Sequence, residues 1–402
     1  MTKKTIIHVS LFSIWTLGKG KGIPSVYRPI KGLADNGYDN IYITQSSYAN
    51  PEDDSEPGIK VVKINFPLAS YTKSFWSKIY RQLIYFPVIY PLFIYHAIRL
   101  AKKKDVAVVY SHTGYVAILG YILSRIFKAK HVVRFYGIGP ANKKWAEGLI
   151  LRQAFWYPAD LYIIANDGSN GYEYALKRGV PPHKIAFIRN GIDKVDNLIK
   201  DESLYKELAP NNEKLLLSVS RIAYTKNIDK IVEAFFKVSK ILPDTRLVIV
   251  GDGEERKAME TLGSRLGIAH RISFVGLIDQ QDVFRYHSVA DIFISMNEIS
   301  SLSNAVFEAM SCGKCVIALD RGATRELIRD GENGIIIESY EELSDAIIRL
   351  LSNSDMISRL GLEAKKTVDA CPSWNERVQR EVEMINGLCE TSSNCNNEKI
   401  GE

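Results

Sequence analysis

Cysteine is scarce in this 402-residue chain: there are five, and none precedes Cys312. An odd, scattered set of this kind is no disulfide framework and points to a reducing compartment. Cys312 and Cys315 form a C-x-x-C, but no second pair or histidine cluster accompanies them. They read as core positions at a helix end and in a strand, not as a metal or redox site. Long apolar runs are also lacking. The stretch from Leu83 to Leu100 is broken by Pro87 and Pro91, which argues against a membrane span. The run from Ile6 to Phe12 is interrupted by His8 and Ser10, so it reads as a first strand and not as a signal peptide. Gly18, Gly20 and Gly22 follow it without the spacing of a dinucleotide fingerprint, which disfavours an oxidoreductase. No Asp-x-Asp pair stands at a strand end, since Glu52-Asp53-Asp54 lies in a polar loop between Pro51 and Pro57, so no metal site is expected. A net charge of +6 permits attraction to phosphorylated ligands or anionic lipid, but is too modest to argue for nucleic acid.

What is present is the composition of a soluble globular protein, 46% hydrophobic and 24% charged, at a length that favours two domains. Short β-branched runs alternate with helix-length segments. The first series is Thr5–Leu11, Asn40–Thr44, Lys60–Ile64, Asp105–Tyr110, His131–Phe135, Leu161–Ala165 and Ile185–Ile188. The second is Leu215–Ser220, Arg246–Gly251, Arg271–Gly276, Asp291–Ser295, Cys315–Leu319 and Gly334–Ile337. Such alternation implies α/β domains with parallel, doubly wound sheets, here two of them joined near residues 190–212. Apolar residues at Val378, Val382 and Ile385 have helical spacing, and the polar stretch from Glu390 to Glu402 reads as a disordered tail. From Tyr71 to Lys104, aromatics and aliphatics mix with cations. Such a segment suits a helix lying on a membrane surface, or a helix packed between sheet and solvent.

In parallel sheets the loops leaving the C-terminal strand ends gather on one edge, where ligands bind. In the second series this edge collects Arg221 and Lys226, then Gly251-Asp252-Gly253, then Ser295 to Gly313, then Asp320-Arg321-Gly322. Ser295 to Gly313 runs through small polar residues into a helix opened by Ser303 and Asn304, and a helix N-terminus favours anions. Glu308 stands inside that helix, able to reach a ribose hydroxyl beside a bound phosphate. Two cations, a helix start and a carboxylate suit a nucleoside diphosphate. Taken singly, each has a plainer reading: a solvated charge, a surface glutamate, or a tight turn at Gly251-Asp252-Gly253. In the first series Gly18 to Gly22, Ser111-His112 and Tyr136-Gly137 follow strands on the corresponding edge. For these the plainer readings are a flexible loop, a structural histidine and a packed tyrosine.

These residues resemble the retaining glycosyltransferases of family 4, whose GT-B fold has two facing Rossmann-like domains. The resemblance is carried by Ser220-Arg221, Lys226-Asn227-Ile228-Asp229, Gly251-Asp252-Gly253, Ser303-Asn304 and Glu308 to Gly313. It extends to Asn190-Gly191-Ile192-Asp193, Arg325-Glu326-Leu327-Ile328, Asp330 to Gly334 and Ser373-Trp374. It implies an acceptor-binding domain over residues 1–193 and a nucleotide-sugar domain over 194–373. A helix over 374–388 is expected to cross back to the first domain. Arg221 and Lys226 are expected to neutralise the departing diphosphate, and Glu308 to hold the ribose. Leu302, Ser303, Asn304 and the position of Ser300 are expected on the donor, with Gly20 and Gly22 approaching it. Lys19, His112 and Tyr136 are expected toward the acceptor or the transferred sugar.

Two positions depart from the family pattern. Ser300 stands where the family has a glutamate eight residues before Glu308, and Tyr136 where a histidine is frequent. Glu298, two residues before Ser300, could take over only through a rearranged loop. The implied activity is metal-independent sugar transfer with retention, using no cofactor, from a nucleotide sugar to a saccharide or polyprenol-linked saccharide. It would run in the cytoplasm or at the inner membrane face, in cell-surface polysaccharide synthesis. A binding subunit that has lost turnover is the alternative, and an epimerase of the same fold is disfavoured by the helix-start match.

Overall fold

The computed structural model describes residues 3–14, 24–46, 55–65, 88–138, 152–299 and 301–397. They form two compact units. The first comprises Met1–Asn166, Asn170–Arg189 and Asn375–Glu402, and the second Asp167–Ser169 and Asn190–Trp374.

The sheet of the first unit contains β1 (Lys4–Ser10), β2 (Asp39–Ser46), β3 (Ile59–Asn65), β4 (Asp105–His112), β5 (Lys130–Phe135), β6 (Leu161–Ala165) and β7 (Ile185–Ile188). Their order is β3-β2-β1-β4-β5-β6-β7, all parallel. Along β1 and β4 successive residues serve opposite faces. Ile7, Val9 and Val109 pack with Phe93 and Ala97 of the Tyr90–Ala101 helix and Leu119 and Leu123 of the Ala117–Phe127 helix. Ile6, Val108 and Tyr110 pack with Leu33 and with Val382, Ile385 and Cys389 of the C-terminal helix, Trp374–Asn397. Burial on both faces explains the near-continuous apolar strands.

A buried ion cluster fixes the C-terminal helix. Glu381, 1% exposed, accepts from Arg134 Nη1, from Arg377 Nη2 at 2.7 Å and from the Tyr110 hydroxyl at 2.5 Å. Burial alone would raise the Glu381 carboxyl, but Arg134 and Arg377 overcome it and hold it down at about 2. The helix also runs further than expected. Residues 390–397, read from sequence as the start of a disordered tail, continue it to Asn397. Once buried turns have nucleated a helix, each added residue needs only one more hydrogen bond to follow. Of the Tyr71–Lys104 stretch, residues 71–87 lie outside the described residues. No helix among the described residues is long and apolar enough to cross a membrane.

The second unit has β8 (Lys214–Val219), β9 (Thr245–Val250), β10 (Ile272–Gly276), β11 (Ile292–Ser295), β12 (Cys315–Leu319) and β13 (Ile335–Ile337). The order is β10-β9-β8-β11-β12-β13, again parallel. Leu216, Cys315, Ile317 and Leu319 face one core, and Leu215, Leu217, Val316 and Ala318 the other. Cys312 and Cys315 are buried thiols, each pushed up to about 12 by burial, which suits packing and not reactivity. The strand order reverses between β8 and β11, and at such a point the flanking loops part to leave a crevice.

Candidate functional site

At the β8–β11 switch point the loop after β8 is tied to the end of β11. Asn227 adopts the left-handed conformation (φ 51°), which asparagine tolerates better than most residues. Its amide donates to the Met296 carbonyl at 2.8 Å and to the Tyr340 hydroxyl at 3.0 Å. The Glu298 N–H donates to the Thr225 carbonyl at 3.1 Å. These bonds hold Lys226 half-buried beside exposed Arg221. Burial, and then the Arg221 charge, bring the Lys226 ammonium down to about 8, with Asp167 partly offsetting them. Two cations held close at a strand end form a site that an anion would relieve.

The neighbouring turn explains its glycines by close approach. A Cβ on Gly251 would meet the Ser220 carbonyl oxygen at 2.0 Å, and one on Gly253 the Ile222 carbonyl oxygen at 2.2 Å. Gly251-Asp252-Gly253 therefore packs against the chain leaving β8, in keeping with the plain-turn reading.

On the other side of the switch point, Ser303 enters the Asn304–Ser311 helix in extended conformation, and its hydroxyl does not cap the helix. Asn304 Oδ1 accepts from Asn190 Nδ2 at 3.0 Å. Glu308 is 7% exposed, and its Oε1 accepts from Gln280 Nε2 at 2.7 Å. Leu302 requires a correction as a donor contact. Its side chain is buried in the core, and its N–H donates to the Asp167 carbonyl at 3.0 Å. An apolar side chain goes where it leaves water, so the Leu302 side chain anchors the segment just before the Asn304–Ser311 helix and does not face a ligand. Glu298 is also committed: Arg321 Nε lies 3.3 Å from its Oε2, and Tyr340 donates to its Oε1. Ser300, Lys19, Gly20 and Gly22 lie outside the described residues.

In the first unit the corresponding edge carries a directed chain of hydrogen bonds. The Asn40 amide nitrogen faces the carbonyls of Tyr38 and Gly58, at 3.3 and 3.2 Å, so its oxygen must face His8 Nε2, at 3.0 Å. His8 Nε2 then carries the proton and His8 Nδ1 accepts from His112 Nε2 at 3.0 Å. His112 Nδ1 in turn accepts from the Tyr136 hydroxyl at 2.5 Å. Both rings are buried, and burial holds His8 down at about 4 and His112 well below its ordinary value. This corrects His112 as an acceptor or sugar contact: both its nitrogens are used internally because its neighbours offer partners that water does not. Tyr136 is the outermost member and lies under the Arg134 guanidinium, 4.9 Å from the ring centroid. Among the described residues no three His, Cys, Asp or Glu side chains gather as a metal site would need.

Sequence reasoning missed Gln280, Asn227 as a tie between loops, and the Glu298–Arg321–Tyr340 group. Each is a contact between residues far apart in the chain, with no periodic signal to announce it.

Residues 199–367, which contain Arg221, Lys226 and Glu308, match the family model described as glycosyl transferases group 1. That segment carries the sequence of the group 1 glycosyltransferases. An uncharacterized glycosyltransferase of Methanocaldococcus jannaschii is 26% identical over 295 residues, 69% of this chain and 74% of its own length. Alpha-monoglucosyldiacylglycerol synthase of Streptococcus pneumoniae is 26% identical over 301 residues, 70% of this chain and 67% of its own. Among solved structures, sucrose-phosphate synthase from Thermosynechococcus elongatus superposes with a TM-score of 0.77 at 19% identity, over 97% of this chain and 100% of that one. Anabaena HepE in complex with UDP and glucose gives 0.75 at 19% identity, over 96% and 100%. At these identities the superpositions establish the GT-B fold alone, and the match over residues 199–367 supports a glycosyltransferase.

Proposed function

We propose that this glycosyltransferase moves a sugar from a nucleoside-diphosphate donor to a saccharide or lipid-linked saccharide, with retention of configuration. The observation that carries the reading is the strand order, which sets Arg221 and Lys226 after β8 and the Asn304–Ser311 helix with buried Glu308 after β11, on either side of one switch point. The bond from the anomeric carbon to the phosphate oxygen breaks and a bond to the acceptor oxygen forms. The acceptor proton passes to the departing diphosphate. Arg221, Lys226 and the helix start meet the charge that develops on that leaving group, so the reaction needs neither metal nor cofactor. Glu308 binds the ribose. The HepE structure holds UDP and glucose, which makes UDP-sugars the first donors to try. The test is a thermal-shift screen of UDP-, GDP- and ADP-sugars: one nucleotide class raises the melting temperature, because a ligand bound only to the folded state stabilises it. No shift with any of them at millimolar concentration would remove the reading.

A binding subunit without turnover is the second reading, favoured by the ties that hold Glu298 to Arg321 and Tyr340 and by Ser300 in place of a glutamate. A ligand that shifts melting yet is neither hydrolysed nor transferred would select it.

The acceptor side of the reading places the enzyme at the inner membrane face, in cell-surface polysaccharide synthesis. The Tyr90–Ala101 and Ala117–Phe127 helices cover the same face of the first sheet. Outward they expose Tyr95, Ile98, Ile122 and Ile126. Residues 88–104 and 113–130 contain no acidic residue, but carry Arg99, Lys102, Lys103, Arg125 and Lys128. An apolar face rimmed by cations suits anionic lipid. The protein is expected to sediment with phosphatidylglycerol vesicles at low salt, less with pure phosphatidylcholine, and to be released as salt screens the charges. Equal recovery in the supernatant with both lipids would remove the membrane from the proposal.

A further inference from the structure

Gln280 stands in the loop after β10, the edge strand, yet its side chain reaches Glu308, whose helix follows β11 three strands away in the sheet order. A carboxylate as buried as Glu308 needs hydrogen-bond donors, and the Gln280 amide supplies one at 2.7 Å to Oε1. The amide orientation is settled by chemistry, because its oxygen could only repel the carboxylate. The partner is also neutral. An arginine or lysine in the same place would add a charge of its own, whereas a glutamine fixes the carboxylate's orientation by a hydrogen bond alone.

We infer that Gln280 is a positioning residue for the nucleotide ribose: it holds Glu308 so that the carboxylate meets the ribose hydroxyls in a set orientation. The inference rests on the reading of Glu308 as the ribose ligand. Gln280 touches no reacting atom. Its contribution passes through Glu308, so it depends on the ribose hydroxyls and not on the base or the phosphates. A residue that merely supported the fold would weaken every nucleotide alike.

The experiment is calorimetry with UDP, GDP and ADP, each beside its 2′,3′-dideoxy form, on the wild type, Gln280→Met, Gln280→Asn and Glu308→Gln, with folding checked by circular dichroism. Gln280→Met keeps the length and removes the donor; Gln280→Asn keeps the amide but is one methylene too short. Both are expected to weaken the ribonucleotide roughly tenfold or more, the effect of losing a hydrogen bond to a charged group, and to move the dideoxy form less than about twofold. Equal weakening of both forms, or of neither, overturns the inference. Glu308→Gln separates it from the parent reading. A selective loss there without one at Gln280 rejects only Gln280, while no selective loss at Glu308, or no nucleotide binding by the wild type, rejects the ribose reading itself.

Discussion

Lys226→Ala is expected to reduce sugar transfer at least about a hundredfold, the usual scale for removing one preorganised group that meets developing charge. The same substitution is expected to leave the melting temperature unchanged or raised. Lys226 is held against two unfavourable influences, partial burial and the Arg221 charge, and together they bring its ammonium down to about 8. Deleting it relieves both, so the change separates stability from function. The depressed value also sets a pH signature. A diphosphate is attracted to a protonated and not a neutral lysine, so wild-type nucleotide affinity is expected to fall as pH rises through about 8. In the alanine variant that dependence disappears and affinity is lower throughout. Transfer assays and calorimetry between pH 6.5 and 9 provide the check, and normal turnover by the variant would remove Lys226 from the mechanism.

Acid is expected to unfold this protein early, beginning below pH 6.5. Four histidines are buried in neutral form. His8 and His131 are held at about 4, His287 at about 3 and His112 well below its ordinary value, in each case chiefly by burial. Above pH 6.5 these rings are neutral whether folded or unfolded and contribute no pH dependence. Between 6.5 and about 4 the unfolded chain takes up protons that the native state refuses, so stability falls as pH falls. A ring displaced by about 2.5 pH units loses roughly 3 kcal/mol over that window. Several such rings are comparable with the whole stability of a domain, about 5–15 kcal/mol. The salt-bridged Glu381, held at about 2, acts lower, losing its contribution between about 4.5 and 2. His8, His112 and His131 belong to the first unit, so that unit is expected to open first. Melting curves at pH 7, 6, 5 and 4 measure the trend. His287→Phe supplies a control, because both its ring nitrogens are buried without a hydrogen-bond partner. The phenyl ring is expected to stabilise at neutral pH and to reduce the acid sensitivity of the second unit. A melting temperature that stays flat from pH 7 to 4 would contradict the account.

The sheets were legible in the sequence because their strands are buried on both faces. A run such as Cys315–Leu319 then carries no polar interruption, and Gly313 before it marks where a helix stops. The same regularity placed Arg221, Lys226 and Glu308 on one edge. Gln280 was not legible, because a glutamine in a loop has the same local appearance whether it faces water or a carboxylate across the fold. Leu302 was misjudged because its motif neighbours are polar, while its own side chain obeys the core. His112 was misjudged because its two ring nitrogens are satisfied across the sheet, by His8 on β1 and by Tyr136 just past β5. The helical course of residues 390–397 follows from packing earlier in the same helix, which local composition does not express.

The division of the chain has a consequence for its synthesis. The first unit contains residues near both ends of the sequence, while residues 190–374 form the bulk of the second. On a ribosome, which releases the chain N-terminus first, the second unit can finish while the first still lacks its closing helix. Until residues 375–397 emerge, Ile6, Leu33 and Val108 have no cover from Val382 and Ile385, and Arg134 has no Glu381. A nascent chain that has emerged only as far as Trp374 would therefore have a complete second unit, while one apolar face of the first sheet still lacks the helix that covers it.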